Sequence, residues 1–247
     1  MRVIATVEAR MGSTRLPGKT LMIIAGKTLL ELVVERLRLA ENVDEVVVAT
    51  TLNPKDDAIV SFCKDHDINV YRGSEDDVLG RVYETAKAFQ ADLIVQAGAD
   101  CPFYDPDLID TLIEIFLNGK YAYVANDMKL TYPEGVDAHI LSMEVLEEIH
   151  GLATKPRDRY DVVRYIWDHP EKYPIYNLDA PPELNRPELR LTLDYKEDLT
   201  LTRKIFNALY SEKHPFKTKD VIDYLDKFPD LKTINAGCEQ HSAAYLP

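Results

Sequence analysis

An eleven-residue segment near the N-terminus contains the residue types that bind phosphate groups. The segment, ARMGSTRLPGK, spans residues 9–19 and follows an apolar run, residues 3–7, that predicts a short buried strand. Its glycines allow close backbone approach, its turn amides can form an anion-binding nest, and Arg10, Arg15 and Lys19 supply positive charge. The spacing matches neither a Walker A loop nor a dinucleotide-binding GxGxxG. The segment therefore predicts a phosphate-binding loop; the alternative is an ordinary strand-to-helix connection with solvated basic side chains.

Two carboxylates follow other predicted strands. Asp100 lies in GADCP, directly after the apolar strand DLIVQA, and Asp194 ends RLTLD. A carboxylate at the end of a strand, in a turn stiffened by Pro102, is suited to hold Mg2+ against a triphosphate. Strand alternation places Arg190 and Asp194 on the same face. The alternatives are a turn or capping role for Asp100 and, for Asp194, capping of the helix expected to begin near Lys196.

A further polar stretch, YPEGVDAH, forms a predicted turn into a strand. Asp137 and His139 are two residues apart, so they share one face of that strand. Polar groups on one side of an otherwise apolar strand can bind sugar hydroxyls or a carboxylate, or they can face water. The sequence favours a pocket position for Asp137 and leaves both alternatives open for His139.

The elements around these segments alternate between strands and helices. β-branched and apolar runs predict strands, and helical spacing of apolar residues predicts the intervening helices. This alternation predicts an α/β fold with a mostly parallel, Rossmann-like sheet flanked by helices, whose ligands gather at the carboxyl ends of the strands. The predicted strands are residues 3–7, 45–51, 69–71 and 92–97, and the predicted helices are residues 28–40, 56–66, 77–89 and 106–117.

The second half of the sequence is less regular and is predicted to be a substrate-binding elaboration. Strands are expected at residues 121–125, 135–141 and 188–193, with helices at 142–149, 157–168, 199–209 and 218–228. We expect a nucleotide-handling domain over residues 1–210 and a helical extension, 211–247, packed on the same domain. The polar tail contains Gly237.

Composition limits the classes of protein that the chain can belong to. With 42 acidic and 29 basic residues, the net charge of -13 disfavours binding to nucleic acid or to an anionic membrane. The three cysteines are odd in number and widely spaced, which indicates neither a disulfide framework nor a zinc site. No stretch has the length and apolarity of a membrane span or a signal peptide. We therefore expect a cytoplasmic protein.

Six motifs, in order, resemble those of a known enzyme family. They are ARMGSTRLPGK, EVVVATTLNPKDD, RGSEDDVLGR, GADCP, YPEGVD and RLTLDYKED, and they extend from the N-terminus to about residue 210. They are similar to the motifs of the spore coat polysaccharide cytidylyltransferase-like family, relatives of the CMP-sialic acid and CMP-Kdo synthetases. A weaker likeness continues through KDVIDYLDKFPDLKTIN.

The resemblance implies a GT-A-like α/β fold and transfer of a nucleotidyl group, usually from CTP, to a sugar-like acceptor with release of pyrophosphate. Lys19, Arg10 and Arg15 would be catalytic, and Asp100 and Asp194 would hold Mg2+. Members of this family are often homodimers, so we expect one here. Together with the strand-face pattern, it predicts further site residues: the nucleotide contacts Ala9, Gly12, Ser13, Thr50, Arg72, Ser74 and Asp77, and the acceptor contacts Asp137, His139, Arg159 and Arg190.

The sequence departs from the family pattern in two places, the first near the base and the metal and the second in a segment expected to line the acceptor side. QAGADCP stands where members tend to have RITGDCP, and DRYDVVRY, residues 158–165, stands where they have EREHVTPY. Two other functions are therefore kept as alternatives. One is a GT-A-type glycosyltransferase using a nucleotide sugar, although GADCP has one acid where that mode relies on a DxD-like pair. The other is a nucleotide-binding regulatory module without turnover.

Overall fold

The structure, a computed structural model, describes residues 1–239 and has a seven-stranded sheet at its centre. The strands lie in the order β5-β4-β1-β6-β8-β7-β9, where β5, β4, β1 and β6 are parallel and β8 is antiparallel to both of its neighbours. A small hairpin, β2–β3, stands apart. The strands are β1 (Val3–Glu8), β2 (Ile23–Ile24), β3 (Lys27–Thr28), β4 (Glu45–Thr51), β5 (Asn69–Gly73), β6 (Leu93–Gly98), β7 (Tyr123–Ala125), β8 (His139–Ser142) and β9 (Ile175–Asn177).

Helices cover both faces of the sheet. Strand alternation divides the apolar residues of β1 between two core clusters, so that Val3, Ala5 and Val7 pack on one face and Ile4 on the other. Burial on both faces is why the central parallel strands have near-continuous apolar runs. The helices are α1 (Leu29–Arg38), α2 (Asp57–Asp65), α3 (Val78–Ala88), α4 (Pro106–Asn118), α5 (Met143–Leu152), α6 (Pro156–Tyr160), α7 (Arg164–Trp167), α8 (Lys196–Leu209) and α9 (Thr218–Lys227).

The predicted fold class is confirmed, because the sheet is mostly parallel and is flanked by helices. The parallel strands β1, β4 and β6 end at one edge of the sheet, and the segments that follow them meet there. None of the helices within residues 1–239 has both the length and the apolarity required to cross a membrane.

The C-terminal helix is attached to the main body by buried contacts. Phe216 and Val221 belong to the same apolar cluster as the β1 side chains. The buried guanidinium of Arg36 donates to the carbonyl oxygens of Tyr104 at 2.5 Å and Phe216 at 2.8 Å. These contacts place α9 against the sheet-bearing body. The expected boundary at residue 210 stays a prediction, and residues 240–247 of the expected extension lie outside the described part of the chain.

Three predicted elements of the second half differ from the structure. The expected strand 188–193 forms only one isolated bridge, between Glu134 and Arg190. The expected helix 157–168 is two short helices, because the carboxylate of Asp161 accepts from the Val163 amide at 3.1 Å and turns the chain. The strand expected from Gly135 begins at His139. Strand β9 was not predicted.

Candidate active site

The loop after β1 is held in shape by its own backbone and by neighbouring side chains. Gly18 has a φ of 75°, a left-handed conformation that favours glycine, and its amide donates to the Met11 carbonyl at 3.1 Å. The Thr20 hydroxyl donates to the Arg10 carbonyl at 2.9 Å. Asp56 accepts from the Met11 amide at 2.7 Å. The loop therefore turns back on itself and delivers Lys19 at the start of a short 3-10 turn.

Lys19 forms hydrogen bonds to two segments that are distant from it in the sequence, one containing Asp100 and the other Leu193 and Asp194. Its Nζ donates to Oδ2 of Asp100, Oδ1 of Asp194 and the carbonyl oxygen of Leu193, each at 2.9 Å. Burial alone would lower the pKa of Lys19, but the two facing carboxylates outweigh it and raise that pKa above its ordinary value. Burial likewise acts to raise the pKa of Asp100, and the nearby ammonium brings it below its usual range. The ammonium and the Asp100 carboxylate are therefore both charged near neutral pH.

Arg190 supports Asp194 from behind. Its guanidinium donates to Glu134 Oε2 at 2.9 Å, Asp194 Oδ2 at 3.0 Å and Asp198 Oδ1 at 3.1 Å, and the side chain is 4% exposed. Asn235 closes the network with bonds to the Arg190 carbonyl at 3.0 Å and to Asp198 at 2.8 Å. The guanidinium group of Arg190 is thus engaged by three carboxylates. This geometry fits a role in positioning Asp194 rather than the expected contact with the acceptor.

A small, polar cavity lies over this arrangement. Its volume is about 250 Å³. The side chain of Arg15 reaches into the site and pairs with Asp194 at 2.7 Å. Arg10 Nη2 donates to the hydroxyl of Tyr160 at 2.9 Å. Of the predicted site residues, those lining this cavity are Ala9, Arg10, Ser13, Arg15, Lys19, Asp100 and Asp194.

A larger cavity of about 810 Å³ adjoins the first. Its lining includes the predicted residues Ser74, Asp77 and Arg159. Asp77 caps α3 by accepting from the Gly80 amide at 2.8 Å, and its carboxylate also pairs with Arg159. Asp77, a predicted nucleotide contact, and Arg159, a predicted acceptor contact, thus form an ion pair with each other in the wall of this cavity.

Six predicted site residues line neither cavity: Gly12, Thr50, Arg72, Asp137, His139 and Arg190. Arg72 is turned toward the loop after β4, where it donates to the Thr51 carbonyl at 2.8 Å and pairs with Asp57 at 2.7 Å. Thr50 is fully buried. Asp137 folds back on its own turn and accepts from the Gly135 amide at 3.1 Å. That turn packs tightly, because a Cβ on Gly135 would lie 2.4 Å from the Thr192 amide nitrogen.

His139 belongs to a buried hydrogen-bonded chain behind the larger cavity. Its Nδ1 lies 2.6 Å from Oε1 of Gln96, and its Nε2 lies 3.0 Å from Oδ2 of Asp127. Gln96 Nε2 in turn donates to Oε1 of Glu8 at 2.5 Å. Burial acts to lower the pKa of His139, but the carboxylate of Asp127 outweighs it and raises the pKa to about 9. A charged imidazole donates from both nitrogens, which fixes the amide orientation of Gln96.

This raised pKa predicts a pH-dependent contribution to stability. A folded-state pKa above the ordinary 6.5 means that the stabilisation is fully present below about pH 6.5 and is lost as pH rises through about 9. Relative to His139→Gln, the free energy of unfolding of the unmodified protein should fall across this window by at most about 1.4 kcal/mol per pH unit. Urea denaturation of both proteins at pH 6.5, 8 and 9.5 measures it. A difference that stays constant with pH would contradict a charged His139.

The two carboxylates at Lys19 fit a divalent cation. Mg2+ commonly binds through one or two protein carboxylates together with substrate phosphates and water. Asp100 and Asp194 converge on one ammonium group, so they already share a site that binds positive charge. Within residues 1–239 there is no group of three or more His, Cys, Asp and Glu side chains placed to hold a metal ion. The arrangement therefore suits a metal that is completed by the ligand's phosphates.

Some residues at the site were missed by the sequence analysis. Glu8 lines both cavities without having been predicted, and Arg81 and Asp161 line one each although only their segments, RGSEDDVLGR and DRYDVVRY, had been assigned to the site. Glu8 is the charged last residue of an otherwise mostly apolar strand, directly before the predicted phosphate-binding loop. This position in the sequence was the signal that could have identified it as a site residue.

The fold and the cation-lined cavity at its strand ends define an α/β nucleotidyltransferase. A comparison with protein families agrees and is more specific. The chain belongs to the cytidylyltransferase family, whose sequence profile matches residues 4–224. The predicted resemblance is confirmed, and the chain is an enzyme of the nucleotidyltransferase class.

Several proteins are similar to the chain in sequence. The chain is 33% identical to MJ1063 of Methanocaldococcus jannaschii, covering 98% of both chains. It is 31% identical to the spore coat polysaccharide biosynthesis protein SpsF of Bacillus subtilis, covering 94% of this chain and 97% of that protein. A 3-deoxy-manno-octulosonate cytidylyltransferase of Geobacter sulfurreducens is 39% identical over 115 residues, which are 46% of this chain and 44% of the relative.

Solved structures share the fold. A cytidylyltransferase from Leptospira borgpetersenii superimposes with a TM-score of 0.89 at 29% identity, covering 98% of this chain and 99% of that one. Rv0371c from Mycobacterium tuberculosis, solved in complex with manganese, superimposes with a TM-score of 0.59 at 18% identity, covering 83% and 99%.

Proposed function

We propose that this enzyme transfers CMP from CTP to a sugar, sugar acid or sugar phosphate and releases pyrophosphate, in the synthesis of a cell-surface glycan. The observation that supports it most is the position of Lys19, whose ammonium group lies between Asp100 and Asp194 at the base of a cavity lined by Arg10 and Arg15. This concentration of cations in a chain of net charge -13 is suited to a triphosphate. The expected homodimer and cytoplasmic location stay predictions.

The two cavities divide the substrates between them. The smaller, cationic cavity suits the triphosphate of CTP, and the larger cavity has room for an acceptor of sugar size. Arg159 lines the larger cavity and is oriented by Asp77, so it is available to fix polar groups of the acceptor. The reaction then takes place where the cavities meet, with in-line attack of an acceptor oxygen on the α-phosphorus.

Positioning and charge neutralisation account for most of the catalysis in such a transfer. Arg10 and Arg15 would bind the phosphate oxygens, and Lys19, whose three donors are engaged by Asp100, Asp194 and the Leu193 carbonyl, would exchange a carboxylate contact for a phosphate oxygen when the triphosphate binds. These cations would stabilise the charge that develops on the leaving pyrophosphate. Asp100 and Asp194 would hold Mg2+, which when bound neutralises phosphate charge. No covalent intermediate with the protein is required.

A base-preference assay tests the donor. Pyrophosphate release should be at least about tenfold faster with CTP than with ATP, GTP or UTP, since discrimination by about 1.4 kcal/mol of binding already gives that ratio. The assay uses each triphosphate with Mg2+ and a panel of sugars, sugar acids and sugar phosphates. Equal rates with all four triphosphates would contradict the proposed donor.

The same assay separates the remaining alternatives. Release that depends on an acceptor supports nucleotidyl transfer, whereas release without one is hydrolysis. A nucleotide sugar consumed in place of a triphosphate would indicate the glycosyltransferase alternative. Omission of Mg2+ should remove most of the activity. Without the metal, the two carboxylates would face the triphosphate directly, and only the three cationic side chains would offset the negative charge.

A further inference from the structure

Glu8 occupies the boundary between the two cavities. Among the residues that the structure describes, only Glu8 and Tyr160 line both the 250 Å³ and the 810 Å³ cavity. The acceptor oxygen must meet the α-phosphorus at this boundary if the cavities divide the substrates as proposed. The Tyr160 hydroxyl is already engaged by Arg10 on the phosphate side. Within residues 1–239, Glu8 is therefore the one carboxyl group that lines both cavities, and we place the point of attack beside it.

The sheet holds this carboxyl group in a fixed place. Glu8 is the last residue of β1, and its carbonyl oxygen accepts from the Ala99 amide at 3.0 Å. Its side chain accepts from Gln96 on the adjacent strand β6, and Gln96 is oriented by His139 on β8. Three neighbouring strands thus contribute one residue each to a chain that ends at Glu8. A preorganised group of this kind needs no rearrangement before it reacts.

Burial and the surrounding charges together raise the pKa of Glu8 above its ordinary value. Burial raises the pKa of Glu8, the hydrogen bond from Gln96 and the charge of Arg81 on α3 lower it, and the net pKa lies above its ordinary value. Asp161, from the turn after α6, raises it further, and His139 lowers it. A carboxylate with a raised pKa is a better proton acceptor than a solvated one.

We infer that Glu8 is a catalytic residue that takes the proton from the attacking hydroxyl group of the acceptor. The inference rests on the proposed function. As the hydroxyl oxygen forms its bond to the α-phosphorus, its proton passes to the Glu8 carboxylate. The bond from the α-phosphorus to the bridging oxygen breaks at the same centre, and pyrophosphate leaves with the bonding electron pair.

This role selects among the acceptors that the proposed function leaves open. A neutral hydroxyl has a proton to give to Glu8, whereas the oxygen of a sugar phosphate is already anionic and would be repelled by this carboxylate. The attacking group is therefore a hydroxyl of a sugar or sugar acid. In the acceptor panel, compounds with a free anomeric hydroxyl should react, and their 1-phosphates should not.

The test is the pH dependence of kcat at saturating CTP, Mg2+ and acceptor. For the unmodified enzyme, kcat should fall as pH falls through the raised pKa of Glu8, because the protonated carboxyl cannot accept a proton. Glu8→Gln should lower kcat by about 10²–10⁴-fold and leave the Kd for CTP, measured by calorimetry, within about twofold. Glu45→Gln, a half-buried glutamate in the neighbouring strand β4, is the matched control and should keep full activity.

A second variant keeps the test decisive if Glu8→Gln does not fold. Gln96→Ala removes the hydrogen bond that lowers the pKa of Glu8, so the acid limb of the kcat profile should move to higher pH. An active Glu8→Gln enzyme with an unchanged acid limb would overturn the inference, and so would an unmoved limb in Gln96→Ala. If the unmodified enzyme releases no pyrophosphate with any acceptor, the proposed function itself fails.

Discussion

Replacing Lys19 with methionine is expected to lower kcat/KM for CTP by about 10²–10³-fold or more, the usual loss when one preorganised charge contact to the transition state is removed. Methionine keeps most of the length of the side chain and removes the ammonium group. Steady-state pyrophosphate release measures the effect. The prediction follows from the proposed role of Lys19, whose ammonium group is held by three hydrogen bonds at the floor of the smaller cavity.

The control for this variant is Lys27→Met. Lys27 is also surrounded by carboxylates, pairing with Glu35 at 2.8 Å and Glu31 at 3.5 Å, but it lies outside both cavities. Its loss should leave kcat/KM unchanged. Circular dichroism must show that Lys19→Met is folded, because the variant leaves Asp100 without its ammonium partner. A folded Lys19→Met enzyme with full activity would remove Lys19 from the mechanism.

The second large effect is expected on stability, from Arg190→Leu. Leucine leaves Glu134, Asp194 and Asp198 buried without the cation that they share, and breaking a buried ion pair in this way costs about 3–5 kcal/mol. Urea denaturation measures the change in the free energy of unfolding. The variant should also lose activity, because Asp194 loses the one of its three cationic partners that lies behind it and holds Oδ2.

Arg186→Leu is the matched control, four residues earlier in the chain. Arg186 pairs with Glu188 at 2.5 Å and with Asp226 at 2.7 Å, but both partners are about half exposed. Exposed pairs of this kind contribute only about 0–1 kcal/mol. Equal losses of stability in the two variants would contradict a structural role specific to Arg190.

The convergence of Lys19, Asp100 and Asp194 was largely predictable from the sequence. Lys19, Asp100 and Asp194 lie far apart in the chain, but each follows a segment with an extended, apolar pattern. Because β1 and β6 are parallel neighbours, the segments after them had to meet at one edge of the sheet. The segment before Asp194 is not a strand, yet its extended backbone still reaches this edge, where the Leu193 amide donates to the Asp100 carbonyl at 2.8 Å.

The acceptor side was less predictable, because it depends on contacts that no local pattern records. Arg190 has the spacing of a strand residue that faces a ligand, but its three carboxylate partners show that it is buried behind Asp194. The sequence pattern around Glu8 indicates only that it ends a strand. The place of its carboxyl group depends on the hydrogen bond from Gln96, which is 88 residues away in the sequence.

Identification of the reaction products by 31P nuclear magnetic resonance tests the central claim most directly. With CTP, Mg2+ and a sugar-acid acceptor, we expect pyrophosphate and a new CMP phosphodiester to accumulate in equal amounts. Both should be absent when the acceptor is omitted. Formation of CDP and inorganic phosphate, or of free CMP without a phosphodiester, would contradict cytidylyl transfer by this enzyme.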